Sequence, residues 1–102
     1  MLDVSLGILV LKNKTVHKTV RLMRPEQLLL ELLLKNPNTV FSLSEISQRC
    51  CGEGSSNAAA TSAVSRLRDK IHMTNPSVPR RGCIVSVRGQ GYQLGIFRCR
   101  LL

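Results

Sequence analysis

The chain has 102 residues, with 15 Lys and Arg against 6 Asp and Glu, a formal net charge of +9. This length gives one domain, residues 1–102, and excludes a multidomain enzyme. A hydrophobic content of 43% suffices for one core and argues against disorder. The charge points to a polyanion, either nucleic acid or an anionic membrane surface. It is also concentrated. Residues 57–102 hold eight of the basic side chains and one acidic one, Asp69. Seven of those eight are Arg, the cation whose fork fits phosphate and guanine edges. A solvated, solubilising surface is the plainer reading of a basic excess; the asymmetry favours binding over it.

Leu2, Val4, Leu6, Ile8 and Val10 alternate along residues 2–11, as on one face of a strand. After the polar turn Lys12-Asn13-Lys14, Val16, Val20 and Leu22 share one parity. Residues 1–22 therefore read as a small antiparallel sheet. Pro25 suits the first turn of a helix over 24–36, which Asn36-Pro37-Asn38 ends. Six of the seven residues 28–34 are Leu, so this helix needs cover on several sides. Ser42 and Glu45 form a capping box for a helix over 42–51, with Leu43, Ile46 and Cys50 on one face and Gly52 just past its end.

Asn57 reads as the N-cap of a third helix over 57–72, where Ala60, Val64, Leu67 and Ile71 make one buried stripe. His72 to Gly82 reads as a loop. Ile84–Val87 and Tyr92–Phe97 read as the strands of a hairpin over 84–98, around Arg88-Gly89-Gln90-Gly91.

Other chemistry finds little support. No stretch reaches the roughly 18–20 apolar residues of a membrane span, and no signal peptide is evident, so a cytoplasmic, nucleoid-associated protein without a membrane partner is expected. Cys50, Cys51, Cys83 and Cys99 lack zinc spacing and read as small apolar fillers; a redox role for the Cys50–Cys51 pair stays open. His17 and His72 have no acid or nucleophile at a recognisable spacing. No catalysis, metal or cofactor is assigned.

Two helices joined by a short Gly-containing turn, the second of them basic, form a helix-turn-helix arrangement. At this point three runs carry a resemblance. Asn36-Pro37-Asn38-Thr39-Val40-Phe41-Ser42-Leu43-Ser44-Glu45-Ile46 resembles N-P-G-x-V-[VF]-S-R-E-E-L. Val64-Ser65-Arg66-Leu67-Arg68-Asp69-Lys70-Ile71 resembles I-x-R-L-R-x-K-[LI]. Ser86-Val87-Arg88-Gly89-Gln90-Gly91-Tyr92-Gln93-Leu94 resembles T-V-R-G-x-G-Y-x-[LF]. Leu22 and Glu26 fit the L-T-x-x-E start of the first helix. In this order the runs resemble the winged-helix DNA-binding domain of OmpR/PhoB-type transcriptional regulators. Thr61, Val64, Ser65 and Gly91-Tyr92-Gln93-Leu94 lean toward the ToxR/CadC-like subset.

The resemblance implies an α+β winged helix-turn-helix fold, with an N-terminal antiparallel sheet, three helices and a C-terminal hairpin wing. It also implies a third helix in the major groove, a wing in the adjacent minor groove, and pairs of copies on tandem half-sites. Some residues depart from the family. Its Trp before Gly52 is Cys51, so that corner must be packed by something smaller. The capping Thr is Met23, and the polar start of the recognition helix is Ala58-Ala59-Ala60-Thr61-Ser62-Ala63. The loop between the second and third helices, which in such regulators often contacts RNA polymerase, is a residue or two short. A stand-alone domain, with no receiver before it and no membrane helix after it, is expected.

With the apolar stripe inward, Ala58, Ser62, Ser65 and Asp69 face outward, flanked by Thr61 and Arg66. Thr61, Ser62, Ser65 and Arg66 are the candidates for base readout, and Arg66 reads guanine or clamps phosphate. Arg68, Lys70, Arg80 and Arg81 are the candidates for phosphate; the last two otherwise stay solvated. Arg88 enters the minor groove or remains a solvated turn residue. Asp69 belongs outside the groove or beside an Arg, and Tyr92 packs on the third helix or stacks on a base. The expected function is a bacterial transcriptional regulator that binds double-stranded DNA. The alternative is a winged-helix interaction module acting on another regulator.

Overall fold

A computed structural model describes residues 2–5, 8–12, 17–52, 54–74, 79–95 and 99–101, with side chains over 20–52, 54–74 and 79–95. The chain opens with three strands, β1 (Leu2–Ser5), β2 (Ile8–Lys12) and β3 (His17–Arg21). The alternation over 2–11 is thus divided between two strands that pair antiparallel, from Leu2 opposite Leu11 to Ser5 opposite Ile8. β3 pairs antiparallel with β2, His17 opposite Lys12.

Helix α1 (Arg24–Lys35) begins with Pro25 in its first turn. Met23 supplies no side-chain cap, and Glu26 supplies the reciprocal half, its Oε2 accepting from Met23 N at 2.8 Å. Asn36 ends the helix, its Nδ2 donating to Leu32 O at 3.0 Å. Leu29, Leu30 and Leu33 are fully buried, while Leu28, Leu32 and Leu34 pack at the edge of the core. This is the cover that a leucine-rich helix requires.

Helix α2 (Leu43–Cys50) carries the expected capping box: Ser42 Oγ accepts from Glu45 N at 3.1 Å, and Glu45 Oε1 accepts from Ser42 N at 3.2 Å. The loop after it is closed by side chains, with Ser47 Oγ donating to Ser55 O and Ser55 Oγ to Cys51 O, each at 2.7 Å.

Helix α3 (Asn57–Thr74) starts at Asn57 itself, so its cap falls one residue earlier than expected. Ser56 occupies the cap, its carbonyl accepting from Ala59 and Ala60 and its Oγ from Ala59 N. Ala60, Val64, Leu67 and Ile71 are buried as the periodicity requires, and Ala63 joins them. The helix continues to a buried Thr74, whose hydroxyl donates to Lys70 O at 2.7 Å, so it runs past His72. The expected loop from His72 to Gly82 also contains α4 (Arg80–Cys83), a single turn set by Pro79, whose carbonyl accepts from Gly82 and Cys83.

The hairpin pairs β4 (Ile84–Val87) with β5 (Gly91–Leu94). The expected continuation of the hairpin over 96–98 lies outside the described residues, and β6 (Cys99–Leu101) joins the first sheet, parallel to β1. That sheet runs β3-β2-β1-β6. Cys50, Cys51 and Cys83 are free thiols, and burial pushes Cys50 up to about 11, which keeps it protonated and unreactive. The side chains of Cys99 and His17 lie outside the described residues.

Candidate nucleic-acid interface

The outward face of α3 carries small side chains. Ala58, Thr61, Ser62, Ser65 and Arg66 are exposed. Thr61 Oγ1 donates to Asn57 O at 3.1 Å, so its hydrogen is spent on the backbone and its oxygen stays outward. Small residues let a helix backbone approach a groove floor closely. Arg66 is the long donor among them, and it has no ion pair among the described residues.

A cleft of about 440 Å³ lies between the wing and the starts of α2 and α3. Ser42 and Ser44 at the start of α2, Asn57 at the start of α3, and Arg88 and Gln90 at the wing tip line it. The tip is a tight turn: Gln90 N donates to Val87 O at 2.9 Å, and Gly89 takes φ 76, a conformation L side chains avoid. Arg88 is exposed on this turn. The cleft brings Asn57, expected only as a cap, to the same opening. Because the helix starts at Asn57 and not after it, its amide is left to face the cleft.

Three expected phosphate ligands have partners within the chain. Arg68 turns inward: its Nε and Nη2 donate to Ile84 O at 3.1 and 2.5 Å, and Nη2 reaches Ser86 Oγ at 3.3 Å. Its guanidinium also lies 5.3 Å from the centre of the Tyr92 ring. Arg68 therefore fastens the wing to α3, and Tyr92 packs against that helix through it. Lys70 Nζ sits 2.5 Å from Oε2 of the buried Glu26, a pair that joins α3 to α1. Arg80 Nε is 3.0 Å from Asp69 Oδ1, an exposed pair that neutralises the acidic residue of the helix. Arg68 and Lys70 are thus occupied within the fold, and Arg80 is shared with Asp69. Arg66, Arg81 and Arg88 remain exposed and without ion pairs among the described residues.

The anchoring role of Arg68 has a measurable consequence. Arg68→Ala is expected to destabilise the fold by about 2 kcal/mol, from two charge-assisted hydrogen bonds and one cation–π contact. Urea denaturation measures this. A phosphate ligand would instead leave stability unchanged.

Residues 17–94 match the family model described as the C-terminal domain of transcriptional regulatory proteins. The chain belongs to this family. Its members of the OmpR/PhoB type are winged-helix DNA-binding domains, and this regulator domain has their sheet, three principal helices and hairpin wing in that order. It is similar to the DNA-binding domain of the response regulator AdeR in complex with an intercistronic region, at 21% identity and TM-score 0.73, covering 88% of this chain and 87% of that one. It is similar to the DNA-binding domain of E. coli CadC at 18% identity and TM-score 0.72, covering 89% and 80%. It also resembles the C-terminal domain of the nisin resistance regulator NsrR, at 26% identity and TM-score 0.67, covering 91% and 89%. The first two likenesses bear on the fold alone. No curated protein matches the regulator domain. Among its described residues no helix is long and apolar enough to cross a membrane.

Proposed function

We propose that this regulator domain binds double-stranded DNA with α3 in the major groove and the β4–β5 wing in the adjacent minor groove. The observation that supports this reading is the exposure of two arginines without ion pairs among the described residues, Arg66 on α3 and Arg88 on the wing tip, the latter lining the cleft between the wing and the starts of α2 and α3. Arg66 donates to a guanine edge, Ser62, Ser65 and Thr61 contact bases at close approach, and Arg88 enters the negative potential of a narrow minor groove. Arg81 meets phosphate, and Arg80 contributes only when Asp69 releases it. Copies pair on tandem half-sites in the cytoplasm, at the nucleoid, and RNA polymerase or another regulator is the protein partner. The domain has no catalytic role.

Selection on random duplexes followed by fluorescence anisotropy tests this. Arg66→Ala is expected to cost about 1–3 kcal/mol and to relax preference at one base pair. Arg88→Ala is expected to weaken binding most on sites with a narrow A·T minor groove. Two variants that bind as wild type would contradict the reading. Retention of a protein partner at high salt, with no duplex bound at low salt, would support the interaction-module alternative instead.

A further inference from the structure

A second cavity, of about 340 Å³, lies between the start of α1 and the first half of α3. Pro25 and Glu26, Cys51 after α2, and Ala59, Ala63 and Arg66 are in its wall. The family resemblance places a Trp at Cys51, and the thiol that stands there leaves this space open. Glu26 is 1% exposed. Its Oε2 accepts from Met23 N and Lys70 Nζ, whereas its Oε1 is buried and has no partner among the described residues. A buried carboxylate oxygen without a donor is costly, so it marks a place where a donor is wanted.

We propose that this cavity binds a small carboxylic acid carrying an N–H or O–H donor at its other end, an amino or hydroxy acid, with the donor on Glu26 Oε1 and the carboxylate on Arg66. The charges support this polarity. Lys70 already neutralises Glu26, so Arg66 is the uncompensated charge in the wall and calls for an anion. The apolar body of the ligand rests on Pro25, Ala59 and Ala63. Lys70, which holds Glu26, stands four residues from Arg66 on one face of α3, with Cβ atoms about 6 Å apart, so a short ligand of roughly four carbons is the probe of choice. Such a ligand engages Arg66 in competition with DNA, so it is an inhibitory effector; this last step rests on the DNA-binding reading of Arg66.

An NMR titration of the full chain without DNA, using 4-aminobutyrate and 4-hydroxybutyrate, tests the site apart from that reading. Saturable shifts are expected at the amides of Met23, Cys51 and Ala59–Ala63, and whichever probe binds tighter identifies the donor. Butyrate and n-butylamine, each lacking one end, are expected to bind at least about tenfold more weakly, as loss of a charge-assisted hydrogen bond implies. Cys51→Trp fills the cavity and is expected to abolish binding, and Ala59→Leu, at a half-buried wall position, does the same should the first variant fail to fold. Absence of saturation with either probe at millimolar concentration, equal binding of butyrate, or binding retained in a folded filled variant would overturn the proposal. A chain that binds a probe but no duplex keeps the site and refutes only the role of Arg66 on DNA.

Discussion

Lys70→Ala is expected to lower the unfolding free energy by about 3 kcal/mol while leaving the salt dependence of DNA binding unchanged. The variant strands the Glu26 carboxylate, 1% exposed, between α1 and α3. One oxygen then keeps only the Met23 amide, and the other has no partner among the described residues. Removing one member of a buried pair costs far more than the pair contributes, because the remaining charge is not resolvated. The value lies at the low end of the usual range because Lys70 keeps 23% exposure. Pairing Lys70→Met with Glu26→Gln, which preserves an acceptor for Met23, should recover most of the loss. Urea denaturation of the two variants and of the double variant measures both effects. A phosphate-binding Lys70 would show the opposite pattern, with unchanged stability and a shallower salt slope.

Gly91→Ala is expected to cost about 3 kcal/mol or more and to detach the wing from the body. Gly91 has φ 144, and a Cβ there would lie 2.0 Å from Phe41 O and 2.6 Å from Phe41 C. The backbone at this point is the bridge between Phe41 and Tyr92, with Phe41 N donating to Tyr92 O at 2.8 Å and Tyr92 N to Phe41 O at 2.9 Å. Neither wall is a flexible side-chain end, so the strands must separate and lose both bonds, in addition to the strain of the left-handed conformation. Gly89 is the control. It has positive φ but nothing within 4 Å, so Gly89→Ala should cost only about 1–2 kcal/mol. Hydrogen exchange at the Phe41 and Tyr92 amides distinguishes the two: protection is lost in the first variant and kept in the second.

What the sequence revealed follows from how local each signal is. The stripe Ala60, Val64, Leu67 and Ile71, the Ser42–Glu45 box and the Arg88–Gly91 turn are set within a few residues, and all stand where the pattern places them. The parallel pairing of β6 with β1 joins the two ends of the described chain over three residue pairs, and no period in the sequence announces it. The roles of Arg68 and Lys70 were hidden for the same reason. Their angular position put them beside the apolar stripe, but their partners, Ile84 and Glu26, are supplied by other elements, 16 and 44 residues away. One signal for Lys70 was present: Ala63, an apolar residue seven positions earlier on the same side of the helix, widens the inward sector toward Lys70, and the structure buries it. The corner at Cys51 was expected to be filled by something smaller than Trp; Cys51 instead lines a cavity, because one thiol cannot replace an indole.

On this reading attraction to DNA is carried by a few exposed arginines of α3, α4 and the wing, not by the whole basic surplus of the C-terminal half. Titrating duplex binding against salt tests it most directly. With Arg66, Arg81 and Arg88 as the cations that meet DNA, the slope of log affinity on log salt is expected to be about −3 per protomer, and Arg66→Ala and Arg88→Ala should each remove about one unit. A flat titration, or a steep slope that neither variant alters, would contradict the account.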